Sequence, residues 1–275
     1  MFIGAGSMIM TKSFFQPEPR VLAHRGLSIE YPENTILSFR KAAELDVDVI
    51  ETDVHLTNDN QFVVIHDDRL ERLSDGGGRV SDYTLAALQQ FDAAYHFTLD
   101  GGKTFPYRGS GITFLSLDEL LEEFPEQRFN IDLKIKNPDL VDNYAAIIRK
   151  HHAETRVLTA SEHRINLMKM RSQIPEMATS FSMGEVIAFF ALFKTGFLFC
   201  KKSFVGDALQ IPEFIGPSRI VTPSFVREAH ERMIRVHVWT VNEEHDMRRL
   251  LDAGVDGIFT DDARRLQRVL EDYSR

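Results

Sequence analysis

The chain has 275 residues, 43% of them hydrophobic, and a formal net charge of −9 at neutral pH. That is enough apolar material for one large α/β core, and the acidic balance argues against a nucleic-acid partner, which would call for a basic face. Cys200 is the only cysteine, so an intramolecular disulfide is excluded and a reducing, cytoplasmic setting is expected.

Residues 1–20 read as an N-terminal extension. Their opening, "MFIGAGSMIM", has no basic n-region and too short an apolar stretch for a signal peptide, and Met8 or Met10 is an alternative start. From residue 21 onward, short β-rich runs alternate with helical patterns, which predicts βαβ units and a parallel sheet. Eight strands are expected near residues 21–23, 49–54, 130–133, 157–159, 178–181, 208–211, 236–240 and 257–259. Eight strands with intervening helices predict an α/β fold of the (β/α)8 TIM-barrel type over residues 21–270. The first βα turn, "HRGLSIE", is not the Gly-rich loop of an open doubly wound sheet.

Helix starts are written between these strands. Asn34 is expected to cap a helix with Ile36, Leu37, Phe39, Ala42 and Ala43 on its apolar side. Ser116 and Glu119 have capping-box spacing, and Thr222–Pro223 reads as N-cap and first helical residue. Residues 55–129 are too many for one barrel helix. They contain the strand-like "QFVVIHDD" and a Gly76-Gly77-Gly78 turn, so a small insertion after the second strand is expected at about 60–115, over the active-site face.

The chemistry-bearing residues follow the strands. "LAHRG" places His24, Arg25 and Gly26 at the end of the first strand, with "PENT" (Pro32 to Thr35) soon after. Arg offers a planar fork to an oxyanion, His moves protons near neutral pH, and Gly permits close backbone approach. Glu51 and Asp53 are two apart on the second strand, so both carboxylates face one way, and Asp132 and Lys134 repeat that spacing on the next. Converging carboxylates call for a neutralising cation. An oxygen-rich set of this kind suits Mg²⁺ or Ca²⁺; the alternative is an ion-pair cluster with Lys134. His66 follows another β segment.

These motifs, with "VHVWTVN" and "GVDGIFTDD" near the end of the chain, resemble the glycerophosphodiester phosphodiesterase family. The resemblance implies a TIM barrel that hydrolyses glycerophosphodiesters to glycerol phosphate and an alcohol with the aid of one divalent cation. It implies catalysis by His24 and His66, which exchange protons with the attacking and leaving oxygens. It implies metal ligation by Glu51 and Asp53 and by Asp132, where the family usually has Glu and the Asp side chain is one methylene shorter. Arg25, Lys134 and Trp239 are implied to bind phosphate and glycerol, and Asp261 to close the barrel. Asn34 is expected to orient a histidine or carboxylate from behind. The attacker is water or a neighbouring substrate hydroxyl.

Residues 184–199, "GEVIAFFALFKTGFLF", are apolar on nearly every helical face. They form either a helix buried beneath another element or a surface near the barrel mouth that meets acyl chains or a membrane. The second reading favours lysophospholipase D activity on a lysolipid; an inactive phospholipid-binding barrel is the alternative from another class.

Overall fold

The structure is a computed structural model and describes residues 11–273. The chain runs β1 (Val21–His24), α1 (Ile36–Glu44), β2 (Val49–Leu56), β3 (Phe62–Val64), α2 (Leu85–Leu88), α3 (Leu117–Glu123), β4 (Phe129–Leu133), α4 (Val141–Lys150) and β5 (Val157–Ala160). It continues through α5 (Arg164–Gln173), β6 (Ala178–Thr179), α6 (Met183–Lys194), β7 (Ala208–Ile211), β8 (Phe214–Ile215), β9 (Ser218–Arg219) and α7 (Pro223–His230). It ends with β10 (Arg235–Val238), α8 (Glu244–Asp252), β11 (Gly257–Thr260) and α9 (Ala263–Tyr273).

Hydrogen-bonded neighbours follow the order β6-β5-β4-β2-β1-β11-β10-β7, all parallel, and a parallel bridge from Ser180 to Ala208 joins the two ends. This is the expected (β/α)8 barrel. Its strands are apolar and buried on both faces because helices cover the outside while opposite strands fill the inside. Successive side chains alternate between those faces. On β2, Val54 is buried in the main core, shared with α1 and α3, while Val49, Glu51 and Asp53 belong to the other parity.

The end at which the strands begin is plugged by the chain itself. Phe14 and Phe15 pack among Leu22, Val49, Leu158, Ala178, Ala208 and Phe259. Arg128 Nη1 donates to the Phe14 carbonyl at 2.9 Å, and Lys12 Nζ bonds the Met177 carbonyl and Asp207. Part of the expected extension is therefore core; the alternative starts at Met8 and Met10 lie outside the described residues. Above the plug, Gln210 Nε2 donates to Asn130 Oδ1 at 2.6 Å, a polar pair at the floor of the cavity described below.

Several local expectations change. The fifth strand stops at Thr179, and the seventh at Val238, so Trp239 follows its strand. The N-cap of α1 is Thr35, not Asn34. A cap needs extended backbone; Thr35 has φ −118° and ψ 158°, whereas Asn34 is left-handed at φ 55°. The capping pairs at Ser116–Glu119 and Thr222–Pro223 are formed. Within the insertion, β3 runs antiparallel to β2, and Val63, Ile65, Leu70, Val80, Leu88 and Phe114 make a small core of their own.

Residues 184–199 fit neither expectation in full. Phe189 and Leu198 are buried, but Ile187, Phe197 and Phe199 are more than half exposed, so the segment packs on the core along one face and is open on another. As a βα element, α6 starts at the barrel mouth and runs away from it. No helix among the described residues is long and apolar enough to cross a membrane.

Phe14→Ala is expected to lower the unfolding free energy by about 3–5 kcal/mol, the usual cost of emptying a buried Phe site. Equilibrium denaturation measures it; a loss below about 1 kcal/mol would mean that the plug adds little.

Candidate active site

The ends of the barrel strands open into a cavity of about 610 Å³. One wall is charged and comes from β1, β2, β4 and the insertion: His24, Arg25, Glu51, Asp53, His66, Asp132 and Lys134. The other is apolar. It comes from the first turn of α6 (Met183, Val186), the chain around the β8–β9 hairpin (Pro212, Ile215, Ile220) and Trp239. The sequence-predicted site residues thus come together, apart from Asn34.

Strand register brings the acids together. His24 pairs in register with Glu51, and Asp53 with Asp132. Glu51 and Asp53 are almost fully buried. Burial first, then the neighbouring Asp53, pushes the Glu51 carboxyl up to about 8, against the opposing pull of His24 and Arg25. Burial also raises Asp132, offset by Lys134. The Lys134 ammonium lies 3.1 Å from Asp53 Oδ1 and 2.6 Å from Asp132 Oδ2, and despite its own desolvation it is held above the ordinary lysine range by both. The ion-pair cluster expected as the alternative is therefore formed at Asp53 and Asp132.

Among the described residues, no three His, Cys, Asp or Glu side chains form a ready-made metal cluster. The donor chemistry nonetheless fits a hard cation. Asp53 Oδ2 is buried without a hydrogen-bond partner, with Arg25 Nε 3.8 Å away, and Glu51 accepts from the Arg25 backbone N–H at 3.1 Å, with the His24 ring at 4.0 Å as its ion-pair partner. Both oxygens are carboxylate, as Mg²⁺ and Ca²⁺ prefer.

Each histidine is held by a carboxylate. His24 Nδ1 donates to Asp261 Oδ1 at 2.7 Å, and His66 Nδ1 donates to Asp67 Oδ1 at 2.6 Å. In both rings Nε2 is left for the cavity; that of His24 is 4.0 Å from Glu51 Oε2. Desolvation depresses the His24 pKa, but Asp261 and Glu51 outweigh it and the net shift is upward. Asp261 itself is steadied by Asn242 Nδ2 at 2.7 Å and by Ser28 Oγ at 3.0 Å. Asp261, the residue after the last strand, therefore orients the His24 ring.

Arg25 has φ 59°, a costly conformation for a bulky residue. It is held by a fold-back: Asn34 N donates to the Arg25 carbonyl, and Ser38 Oγ does the same. Arg25 Nη1 donates to Glu33 Oε1 at 2.8 Å, and Nε lies 3.8 Å from Asp53. The backbone approach that Gly26 permits is to α1. A Cβ there would sit 2.8 Å from the Ser38 carbonyl carbon, at φ +84°. Asn34 does not orient a histidine or carboxylate as expected. Its Oδ1 accepts from Thr52 Oγ1 at 2.8 Å, on the β2 face opposite Glu51 and Asp53. Trp239 lines the cavity and is nearly half exposed.

Sequence reasoning missed Asp67, Glu33 and Arg72 as site residues. Asp67 adjoins His66 and could have been read from that adjacency. Arg72 donates to both Asp67 and Glu33; only the fold brings it there.

Two His–carboxylate pairs and basic side chains thus stand at the mouth of a (β/α)8 barrel, and the relatives make this chain a phosphoric diester hydrolase. The Glycerophosphoryl diester phosphodiesterase family model matches residues 24–265, and the chain belongs to that family. It is 30% identical over 249 residues to a glycerophosphodiester phosphodiesterase of Caldanaerobacter subterraneus, covering 88% of this chain and 93% of the relative. It is 29% identical to a lysophospholipase D of Rattus norvegicus, covering 93% and 87% of the two chains. A solved structure from Silicibacter pomeroyi, described as of the same class, superposes with a TM-score of 0.78 at 26% identity, covering 96% of this chain and 99% of that one. An Oleispira antarctica phosphodiesterase, solved with its product sn-glycerol-3-phosphate, gives 0.75 at 24% identity, over 94% and 98%.

Gly26→Ala is expected to destabilise the protein by more than about 1 kcal/mol, because both the conformation and the space at this position reject a Cβ. It should also reduce turnover at temperatures where the variant is folded, since the shift displaces Arg25. Thermal unfolding and initial rates measure the two; an unchanged variant would mean that the loop repacks freely.

Proposed function

We propose that the protein hydrolyses glycerophosphodiesters to glycerol 3-phosphate and an alcohol, with His24 and His66 as the proton-transfer pair and a divalent cation held by Glu51 and Asp53, with Asp132 as a further ligand. The single observation that carries this reading is the pair of imidazoles, each fixed through Nδ1 by its own carboxylate and each lining one charged cavity. One ring takes the proton from the attacking oxygen and the other gives one to the departing alcohol oxygen as its bond to phosphorus breaks. Asp261 and Asp67 fix the tautomers, and Asp261 also favours the imidazolium form of His24. Arg25 offers its guanidinium to a phosphate oxygen, and Lys134 balances Asp53 and Asp132. When bound, the cation supplies charge that offsets the phosphate's negative charge in the transition state.

His24→Ala and His66→Ala should each lower turnover of glycerophosphocholine by at least about 10²-fold with little change in folding. Near-normal turnover in either variant would make that histidine structural. Exhaustive chelation should abolish activity, with Mg²⁺ or Ca²⁺ restoring it.

The Glu51 shift gives this proposal a second readout. Without a cation, a carboxyl at about 8 is mostly protonated at neutral pH, and it must lose that proton to ligate. Cation affinity should therefore rise with pH up to about 8, and binding at pH 7 should release protons. Calorimetry in buffers of different ionisation enthalpy tests this; binding with no proton release would remove Glu51 from the ligand set.

A second reading, lysophospholipase D action, is favoured by the apolar wall of Met183, Val186, Ile215, Ile220 and Trp239. Met183 and Ile215 are more than half exposed at the cavity rim, where an acyl chain would cover them. Contact with a membrane surface would then run through this rim and the first turn of α6. Burying one large apolar side chain is worth roughly 1.5–3 kcal/mol. Met183→Ser with Ile215→Ser should therefore weaken turnover of lysophosphatidylcholine more than that of glycerophosphocholine. An equal fall in both would return the substrate to water-soluble diesters.

A further inference from the structure

We propose that Arg72 is a positioning residue that locks the two active-site motifs to each other. The proposal rests on the reading above, in which His66 moves a proton and Arg25 holds phosphate. Arg72 Nε donates to Asp67 Oδ2 at 2.5 Å, while the other Asp67 oxygen accepts a hydrogen bond from His66 Nδ1. The far edge of the same guanidinium forms a two-pronged pair with Glu33, Nη1 to Oε2 and Nη2 to Oε1, each at 2.8 Å. Glu33 Oε1 in turn accepts from Arg25 Nη1. The chain His66–Asp67–Arg72–Glu33–Arg25 alternates acceptor and donor without a gap.

This differs from an ordinary surface ion pair, which contributes little. The geometry is bidentate, and Glu33 is largely buried. Burial works to raise the Asp67 carboxyl, but the hydrogen bonds from Arg72 and His66 prevail and hold it down at about 2. Asp67 therefore stays an acceptor for the imidazole. Burial likewise opposes Glu33 ionisation, and Arg72 and Arg25 together overcome it.

The arrangement also gives the insertion a task. Arg72 follows Leu70, which is buried in the insertion's own small core, and Leu73 N and Ser74 N both donate to the Leu70 carbonyl to fix the turn. The insertion thus delivers one rigid fork between the loop after β1 and the loop after β3. A lysine could supply the charge but not the planar set of three donors that meets Asp67 through Nε and Glu33 through both Nη atoms.

Loss of the fork acts on two kinetic constants at once. Asp67 then holds His66 loosely, which lowers kcat, and Glu33 pulls on Arg25 alone, which raises KM. With glycerophosphocholine as substrate, Arg72→Ala and Arg72→Lys should each lower kcat by about 10–100-fold, the usual scale for a residue supporting a site from behind, and should raise KM. Asp67→Asn should act mainly on kcat and Glu33→Gln mainly on KM. The double variant Arg72→Ala/Asp67→Asn should have a kcat no lower than the worse single variant, since both break one link. Arg72→Lys keeps the charge and stem, so it guards against a folding failure; thermal unfolding is followed in every variant. Millimolar guanidinium ion should partly restore kcat in Arg72→Ala. A near-normal kcat in Arg72→Lys, or losses in the double variant that multiply, would overturn the proposal. His66→Ala and Arg25→Ala are the reference: if these keep turnover, the underlying catalytic reading fails, whereas if they are crippled while Arg72→Lys is not, only the role of Arg72 fails.

Discussion

The site is organised by the repulsion among Glu51, Asp53 and Asp132, brought to one end of the barrel by strand register and largely removed from water. Like charges at such separation in a desolvated cleft cannot all ionise unless positive charge is brought in. Lys134 meets that need for Asp53 and Asp132. It does not meet it for Glu51, whose carboxyl remains raised to about 8. The unbonded oxygen on Asp53 and the raised Glu51 are the same imbalance seen at two atoms, and it is this imbalance that the proposed cation would relieve.

The remaining parts of the site hold positions around that imbalance. Asp261 and Asp67 hold the two imidazoles, Glu33 holds Arg25, and the fold-back of residues 25–38 keeps Arg25 in a conformation it would not take alone. The barrel supplies rigidity from below through the Phe14–Phe15 plug, and the insertion supplies it from above. The apolar wall is built by other elements, α6 and the chain on either side of the β8–β9 hairpin. One cavity therefore has a charged wall on one side and an apolar surface on the other.

Much of this was legible before the fold was known, because strand alternation is a local rule. Glu51 and Asp53, or Asp132 and Lys134, share a face by spacing alone. The barrel followed from eight short apolar runs, and the insertion from an excess of chain after the second. What lay out of reach depends on contacts across long separations. Asp261 meets His24 across 237 residues, and Arg72 meets Glu33 across 39. Asn34 read as a helix cap by residue type, but its left-handed backbone moves the cap one residue on. The apolar run 184–199 left burial and exposure open, and the fold gives both: Phe189 is buried, Ile187 and Phe199 are exposed, and only the first turn of α6 lines the cavity.

The most direct test of the central claim is a crystal structure with glycerol 3-phosphate and Mn²⁺, an anomalous stand-in for Mg²⁺. The account predicts one ion bound by Glu51 and Asp53, with the phosphate beside Arg25 and between the Nε2 atoms of His24 and His66. A phosphate bound elsewhere in the cavity, or an ion that leaves Glu51 and Asp53 untouched, would contradict it.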